Sequence, residues 1–224
     1  MNHGKACGSD EAIIPLLQEC MNANQQRELA ARLAPGDPAL ALSTARAIHD
    51  PWFACQALAW AARFAPEQEF AKIVYESLRV VRDEDDPYRV VAPSAWPIRA
   101  MVERDRVELL PSVIPELLLR AEEIKLLVSR SEAVFLLFQA VFPAGREHWL
   151  PVLDSLRQAS TPLINWRQKR NLTDAIMIVR GEDEQLAFEI YDAVDDQKLK
   201  KKITKIWAIP ERHLPGPFFW AVDA

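Results

Sequence analysis

The sequence predicts an all-α protein, arranged as a right-handed α-solenoid of about six antiparallel helix pairs. Three observations favour this fold. The chain has only six glycines among its 224 residues. Apolar residues recur at helical spacing, with no long run of alternating apolar and polar residues. A helix-break-helix unit recurs along the chain, and each unit is too small to bury its apolar face without its neighbours.

The stretch 37–66, DPALALSTARAIHDPWFACQALAWAARFAP, shows this unit most clearly. It is typical of two short amphipathic helices separated by Asp50-Pro51, because proline cannot continue a helix. The same dipeptide returns as Asp86-Pro87, 36 residues later, and Trp60 returns as Trp96 at the same interval. The shared interval predicts a structural repeat.

The other pairs follow from the same signals. Ser9 or Asp10 can cap a first helix near 10–20, whose partner covers about 24–33. The later pairs begin near 67, 106, 146 and 182, with second helices over about 88–101, 126–142, 162–180 and 196–207.

These pairs predict a single domain over residues 10–207, preceded by a flexible N-terminus at 1–9. Residues 208–224 form a predicted tail, because three prolines exclude a helix there. The tail carries the apolar triplet Phe218, Phe219 and Trp220, which can cover the open end of the last pair or bind a partner.

The composition favours a cytoplasmic protein. The formal net charge of −5 disfavours general attraction to nucleic acid or to an anionic membrane. Cys7, Cys20 and Cys55 are odd in number and lack CxxC spacing, which indicates reduced thiols, with Cys55 as a small core residue. The N-terminus lacks the apolar run of a signal peptide, and no run approaches the roughly 20 apolar residues of a membrane span. We therefore expect no membrane partner.

Aliphatic-proline pairs mark the first helix of three units, at Ile14-Pro15, Leu110-Pro111 and Leu150-Pro151. An arginine follows in each next helix, at Arg27, Arg130 and Arg167. This pattern resembles the HEAT repeat, whose first helix commonly bears a proline and whose second begins near a Val-Arg. The stretch 37–66 also resembles degenerate tandem helical repeats of bacterial proteins. The resemblance covers most of residues 10–207 and implies protein binding most often, with enzymes and nucleic-acid binders as minorities.

Motifs for metal, nucleotide or nucleophilic chemistry are missing from the sequence. The histidines, His3, His49, His148 and His213, are scattered without the HExxH or i, i+4 pairing of zinc sites. The patterns GxxxxGKS, GxxxxGKT, GxGxxG and GxSxG do not occur. We expect no cofactor, no metal and no catalytic residue, and we favour a protein that is not an enzyme.

Several polar and aromatic side chains fall near equivalent positions of successive units and can line a concave face. They are Gln56, Arg130, Glu132, Trp166, Arg167 and Arg170. Exposed tryptophans and arginines dominate many binding surfaces. For the arginines, the favoured alternative is structural: they bridge neighbouring repeats, because a stack must satisfy the polar groups between its units.

We expect a protein-binding adaptor or inhibitor, and two alternatives stay open. The first is a nucleic-acid-binding protein resembling the HEAT-like alkylpurine DNA glycosylases. The basic run that favours it comprises Lys198, Lys200, Lys201, Lys202 and Lys205, although such a run is usually a solvated helix face. The second is a lyase-like or chaperone role on a cofactor-bearing protein, as HEAT-like bilin lyase relatives imply.

Overall fold

The structure, a computed structural model, describes residues 21–208. Those residues form twelve α-helices and two short 3-10 turns and include no β-strand, so the predicted all-α class is confirmed. The predicted first helix near 10–20 and the aromatic part of the tail lie outside the described residues. The α-helices are α1 Ala23–Leu33, α2 Pro38–Arg46, α3 Pro51–Phe64, α4 Glu67–Arg82, α5 Pro87–Val91, α6 Ala95–Glu103, α7 Ile114–Glu122, α8 Leu127–Val141, α9 Arg146–Ala159, α10 Trp166–Arg180, α11 Glu184–Asp192 and α12 Gln197–Trp207. The 3-10 turns are Val107–Ser112 and Phe142–Ala144.

Asp-Pro dipeptides start three of the helices. Asp50 and Asp86 occupy the N-cap positions of α3 and α5, and each Oδ1 accepts a hydrogen bond of 2.9 Å from the backbone N–H two residues later. Asp37 caps α2 in the same way, accepting from the N–H of Leu40. The following proline sits at the first helical position, where its missing N–H costs nothing. The two predicted Asp-Pro breaks are therefore confirmed as helix starts.

The second helix of the third pair is split into α5 and α6. Pro93 lies in the break at 92–94, because it lacks the N–H that a continuous helix would use. Pro97 lies in the first turn of α6, where the N–H has no partner within a helix anyway. The split is the clearest irregularity among the predicted pairs.

Two other boundaries differ from the sequence prediction. The segment predicted as one helix from Arg106 to Glu123 is a 3-10 turn containing Pro111, followed by α7. The helix predicted over about 162–180 starts at Trp166 and not near Pro162. Asn165 sets this start, because its side chain caps the first turn of α10.

Helices that are close in sequence pack in succession. Helices α1, α3, α6, α8, α10 and α12 each contact the next member of this series. Helices α2, α4, α9 and α11 pack against neighbours within that series, while α5 and α7 pack against each other and against α8.

The interior is centred on α3 and α8. Every residue of α3 from Ala54 to Ala62 is buried, so this helix has no solvent-facing side over that length. Its many alanines let several helices approach it closely. The segment 127–144, which includes α8, is the one described stretch whose length and hydropathy would also suit a membrane span. In this structure α8 packs against α6, α9 and α10.

Candidate functional site

Four of the predicted binding residues lie together where α10 begins beside α8. Trp166, Arg167 and Arg170 belong to the first two turns of α10, and Glu132 faces them from α8. Arg167 Nη1 lies 3.4 Å from Glu132 Oε2, and Arg170 Nη2 lies 3.9 Å from Glu132 Oε1. Both guanidinium groups also lie near the Trp166 indole, 5.5 and 5.3 Å from its ring centroid. We call these four residues the Trp166 cluster.

The Trp166 side chain is exposed, but its backbone is held firmly. The indole is 63% exposed to solvent. Asn165 Oδ1 accepts from the Arg167 N–H at 2.9 Å, and Gln168 Oε1 accepts from the Asn165 N–H at 3.1 Å. Gln168 is fully buried and donates to the Ala159 carbonyl at the end of α9. The backbone that carries the indole is therefore fixed by a capped first turn.

A buried polar network supports Arg170. Its Nη2 donates to Asn171 Oδ1 at 3.2 Å. Asn171 Nδ2 in turn donates to Ser131 Oγ at 3.2 Å, and Ser131 Oγ lies 3.2 Å from Ser160 Oγ. Asn171, Ser131 and Ser160 are all buried, so these bonds form away from competing water. The network joins α8, the end of α9 and α10 directly beneath the Trp166 cluster.

The cluster borders a groove of about 610 Å³ between α5, α8 and α10. Phe135 and Leu136 supply apolar side chains to this groove, and Tyr88 lines it from α5. Asp174 adds a second carboxylate, so the two arginines of the groove are matched by two acidic residues. The volume suits one or two side chains of a partner, with apolar and charged contacts side by side.

Tyr88 connects this groove to α3. Its ring stacks on Trp52, with centroids 5.7 Å apart. Burial raises the pKa of the Tyr88 hydroxyl, and the Glu132 carboxylate raises this pKa further, whereas Arg167 lowers it. The hydroxyl therefore keeps its proton at neutral pH and can donate a hydrogen bond to a ligand.

Sequence reasoning missed Tyr88 as a groove residue. A signal was present, because Tyr88 follows Trp52 by 36 residues, the interval that separates Trp60 from Trp96. The groove contribution of Phe135 and Leu136 had no such signal, since apolar side chains on α8 face several neighbours.

The other two predicted residues lie elsewhere. Gln56 is 3% exposed within the buried length of α3, and its Oε1 accepts from Arg27 Nη1 at 3.2 Å. Arg130 donates from Nε and Nη2 to the Ile124 carbonyl, at 3.0 and 2.8 Å, and from Nη2 to the Glu122 carbonyl. Arg130 thus has a structural role at the C-terminal end of α7, within one predicted pair, and does not bridge neighbouring pairs as the structural alternative for the arginines expected.

Other residues considered from the sequence have ordinary surroundings. Trp60 and Trp96 are both buried, at 7% and 3% exposure. Burial raises the pKa of the Cys55 thiol to about 12, although its hydrogen bond with Ser77 opposes the shift. Cys55 is a free, fully buried thiol, as predicted for a core residue. Within residues 21–208, no three His, Cys, Asp or Glu side chains are grouped to hold a metal ion.

The lysine-rich helix α12 is amphipathic. Leu199, Ile203 and Ile206 are buried, whereas Lys198, Lys201, Lys202 and Lys205 are exposed. Lys200 Nζ donates to the Asp192 carbonyl and lies over the Tyr191 ring. On α10, Lys169 pairs with Asp196 at 2.6 Å. The exposed lysines therefore form a solvated face that is separate from the groove.

Comparison with known proteins adds no assignment. No protein-family model, no curated protein and no solved structure matches this chain.

Proposed function

We propose that this chain is a protein-binding module of HEAT-like helix pairs, stacked as an α-solenoid, that acts as an adaptor or inhibitor of a partner protein. The proposed contact surface is the groove of the Trp166 cluster with Tyr88, Phe135 and Leu136. The observation that carries the proposal is the Trp166 indole, 63% exposed on a capped helix start and flanked by two arginines.

The spacing of long-range contacts supports the repeat. Arg167 and Glu132 are 35 residues apart, Arg104 and Glu67 are 37 apart, and Arg63 and Glu103 are 40 apart. The stacked pair of Trp52 and Tyr88 is separated by 36 residues. Side chains in equivalent positions of consecutive units meet at such intervals when units of 35 to 40 residues stack in order. The consecutive packing of α1, α3, α6, α8, α10 and α12 agrees with this arrangement.

The exposed indole supports binding as the purpose of the groove. Tryptophan and arginine are the residues most enriched in energetic hot spots of protein interfaces. The capping box fixes the backbone at Trp166, and the buried Asn171 network holds Arg170, before any partner arrives. A surface arranged in advance loses less entropy on association, which favours specific binding by a small area. We expect an interface of about 1,000 to 2,000 Å² in total.

The charge of the groove favours a protein over nucleic acid. Arg167 and Arg170 are offset by Glu132 and Asp174, so the groove carries no surplus of positive charge for phosphates. The exposed lysines of α12 keep nucleic-acid binding as the alternative function. Titration with duplex and single-stranded DNA at two salt concentrations separates the two, because phosphate contacts weaken steeply as salt rises.

The test is affinity capture from an extract of the native source, with mass spectrometry and a check of stoichiometry. We expect one protein near one to one with the wild type, and its loss with Trp166→Ala. Phe64→Ala is the matched control, since Phe64 is an exposed aromatic residue at the end of α3, 38% exposed, and does not line the groove. Equal recovery of the partner by the wild type and by Trp166→Ala would refute the groove as the contact surface. Recovery of nucleic acid alone would refute the protein-binding function.

A further inference from the structure

A second cleft opens between α4 and α7, away from the Trp166 groove. Its volume is about 400 Å³, and the two sites share no lining residue. Val90, Ser94, Val113 and Leu117 line it and are buried. Both Val90 and Ser94 belong to the irregular region where Pro93 splits the helix into α5 and α6. The cleft therefore coincides with the irregularity in the repeat.

The walls of the cleft carry exposed apolar side chains. Tyr75 and Leu119 are 43% and 65% exposed, and Leu78 lies partly buried beside them. Water covers these surfaces in the free chain, so an apolar side chain that replaces it gains about 25 cal/mol per Å² of apolar surface. Tyr75 Oη lies 3.3 Å from Ser112 Oγ, which links α4 to the 3-10 turn that precedes α7.

The charged side chains around the cleft differ in how fully they are paired. Arg120 is well paired, because it donates to Glu123 and to the Glu84 carbonyl. Arg82 Nε lies 3.6 Å from Glu116 Oε1, and both side chains are 63% exposed. Such an exposed pair contributes little and exchanges partners easily. Arg79 makes no hydrogen bond or ion pair with any residue of the described part of the chain. The lining has three arginines and two glutamates, a surplus of one positive charge, and Glu76, the carboxylate on which the Arg79 charge acts, is already bound by Arg46.

We propose that this cleft is a second docking site, for a short amphipathic helix of a partner protein that carries Asp or Glu beside its apolar face. The aliphatic or aromatic side chains of the partner helix lie on Val90, Val113 and Leu117 between the two walls. Its carboxylates pair with Arg79 and displace Glu116 from Arg82. The proposal concerns other residues than the Trp166 groove and does not depend on that site.

The walls favour a helical occupant over an extended one. An extended peptide gains affinity by adding to the edge of a sheet, and residues 21–208 contain no strand. A helix satisfies its own backbone hydrogen bonds and needs only an apolar groove. The span from Tyr75 to Arg82 on α4 is about 10 Å, since a helix rises about 1.5 Å per residue. This length fits about two turns of a partner helix.

The test is selection of a random-peptide phage library on the full chain, followed by titration of synthetic peptides from the strongest clones. We expect selected peptides with apolar residues at helical spacing and an adjacent Asp or Glu. Leu119→Asp should weaken their binding about tenfold or more, because it places a charge on the apolar wall and repels the carboxylates. Arg79→Gln should weaken it up to about fivefold, the range of an exposed charge pair.

Glu116→Gln provides the sharpest test. It removes the intramolecular competitor for Arg82, so it should strengthen binding of the acidic peptides, which a loss of structure would not do. Trp166→Ala should leave their affinity unchanged and serves as the matched control. Circular dichroism melts verify that each variant folds.

Three results would overturn the proposal. The first is a selection that yields no peptide dependent on Leu119. The second is a set of cleft-dependent peptides without acidic residues, or with equal affinity for Arg79→Gln and the wild type. The third is saturable binding of dodecanoate that displaces the peptides, which would assign the cleft to an anionic amphiphile.

Discussion

Arg130 was a candidate for the binding face, with a structural role as the alternative, and the structure places it in the first turn of α8 with its guanidinium group at the end of α7. In Arg130→Ala, the Ile124 carbonyl loses two guanidinium hydrogen bonds, and the exposed Glu122 carbonyl loses one. Ile124 is only 4% exposed, so water replaces its partner poorly. Water satisfies the Glu122 carbonyl more readily.

The magnitude follows from these partners. A hydrogen bond from a charged donor contributes about 1.5 to 3 kcal/mol, and a cation at a helix C-terminus adds about 0.5 kcal/mol. We expect Arg130→Ala to lower the free energy of unfolding by about 2 to 3 kcal/mol. For a chain of this size that corresponds to a melting temperature about 4 to 12 °C lower. The melting temperature of Arg130→Lys should lie between those of the wild type and Arg130→Ala, because lysine keeps the charge but lacks the planar fork of the guanidinium group.

The assay pairs thermal and urea unfolding, followed by circular dichroism, with partner capture at a temperature where both proteins are folded. We expect Arg130→Ala to melt early and still capture the partner, while Trp166→Ala melts normally and captures nothing. The reasoning would be refuted if Arg130→Ala melted within about 1 °C of the wild type and lost the partner. That outcome would return Arg130 to the recognition surface.

The remaining predictions concern stability and reactivity. Cys55 should resist iodoacetamide at pH 8 in the folded protein and react in urea, as measured by mass spectrometry of its peptide. Its pKa of about 12 leaves roughly one thiolate in ten thousand molecules at that pH. The hydrogen bond from Arg46 lowers the pKa of Glu76 below its ordinary 4.5, so the pair stabilises the fold fully above pH 4.5. This contribution is lost as the pH falls through the lower folded-state pKa, and Glu76→Gln should flatten that part of the urea-stability profile. Trp149 is fully buried, and Trp149→Ala should cost about 3 to 5 kcal/mol in urea unfolding. Trp149→Phe should cost much less, because the indole Nε1 makes no hydrogen bond in the described structure.

The all-α class and several helix starts could be predicted from the sequence because the signals are local. Asp50-Pro51 and Asp86-Pro87 combine a capping carboxylate with a residue that fits only the first turn. The start of α10 was misjudged, because Thr161-Pro162 resembles the earlier breaks while the Asn165 capping box lies three residues beyond Pro162.

The site was harder to predict, because positions that the sequence pattern predicts to be equivalent have different surroundings. Gln56 and Glu132 fall near equivalent positions, yet Gln56 is enclosed by the packing around α3 and Glu132 borders a groove. The difference depends on how many helices cover each position, which is a property of tertiary packing. The cleft between α4 and α7 is lined in part by Val90 and Ser94, on either side of Pro93, and the periodicity of apolar residues does not predict such a cleft.

The exposure of Trp166 makes the intrinsic fluorescence of this indole sensitive to whatever covers the groove. Among the described tryptophans, the other five are buried or partly buried, whereas this indole meets water over most of its surface. We expect its emission to lie to the red of that of the other described tryptophans, and a quencher such as acrylamide to reach it before them. A partner that covers the indole would shift that emission toward the blue and shield it from the quencher. Occupancy of the groove can thus be followed by tryptophan fluorescence, without a label that would alter the surface being measured.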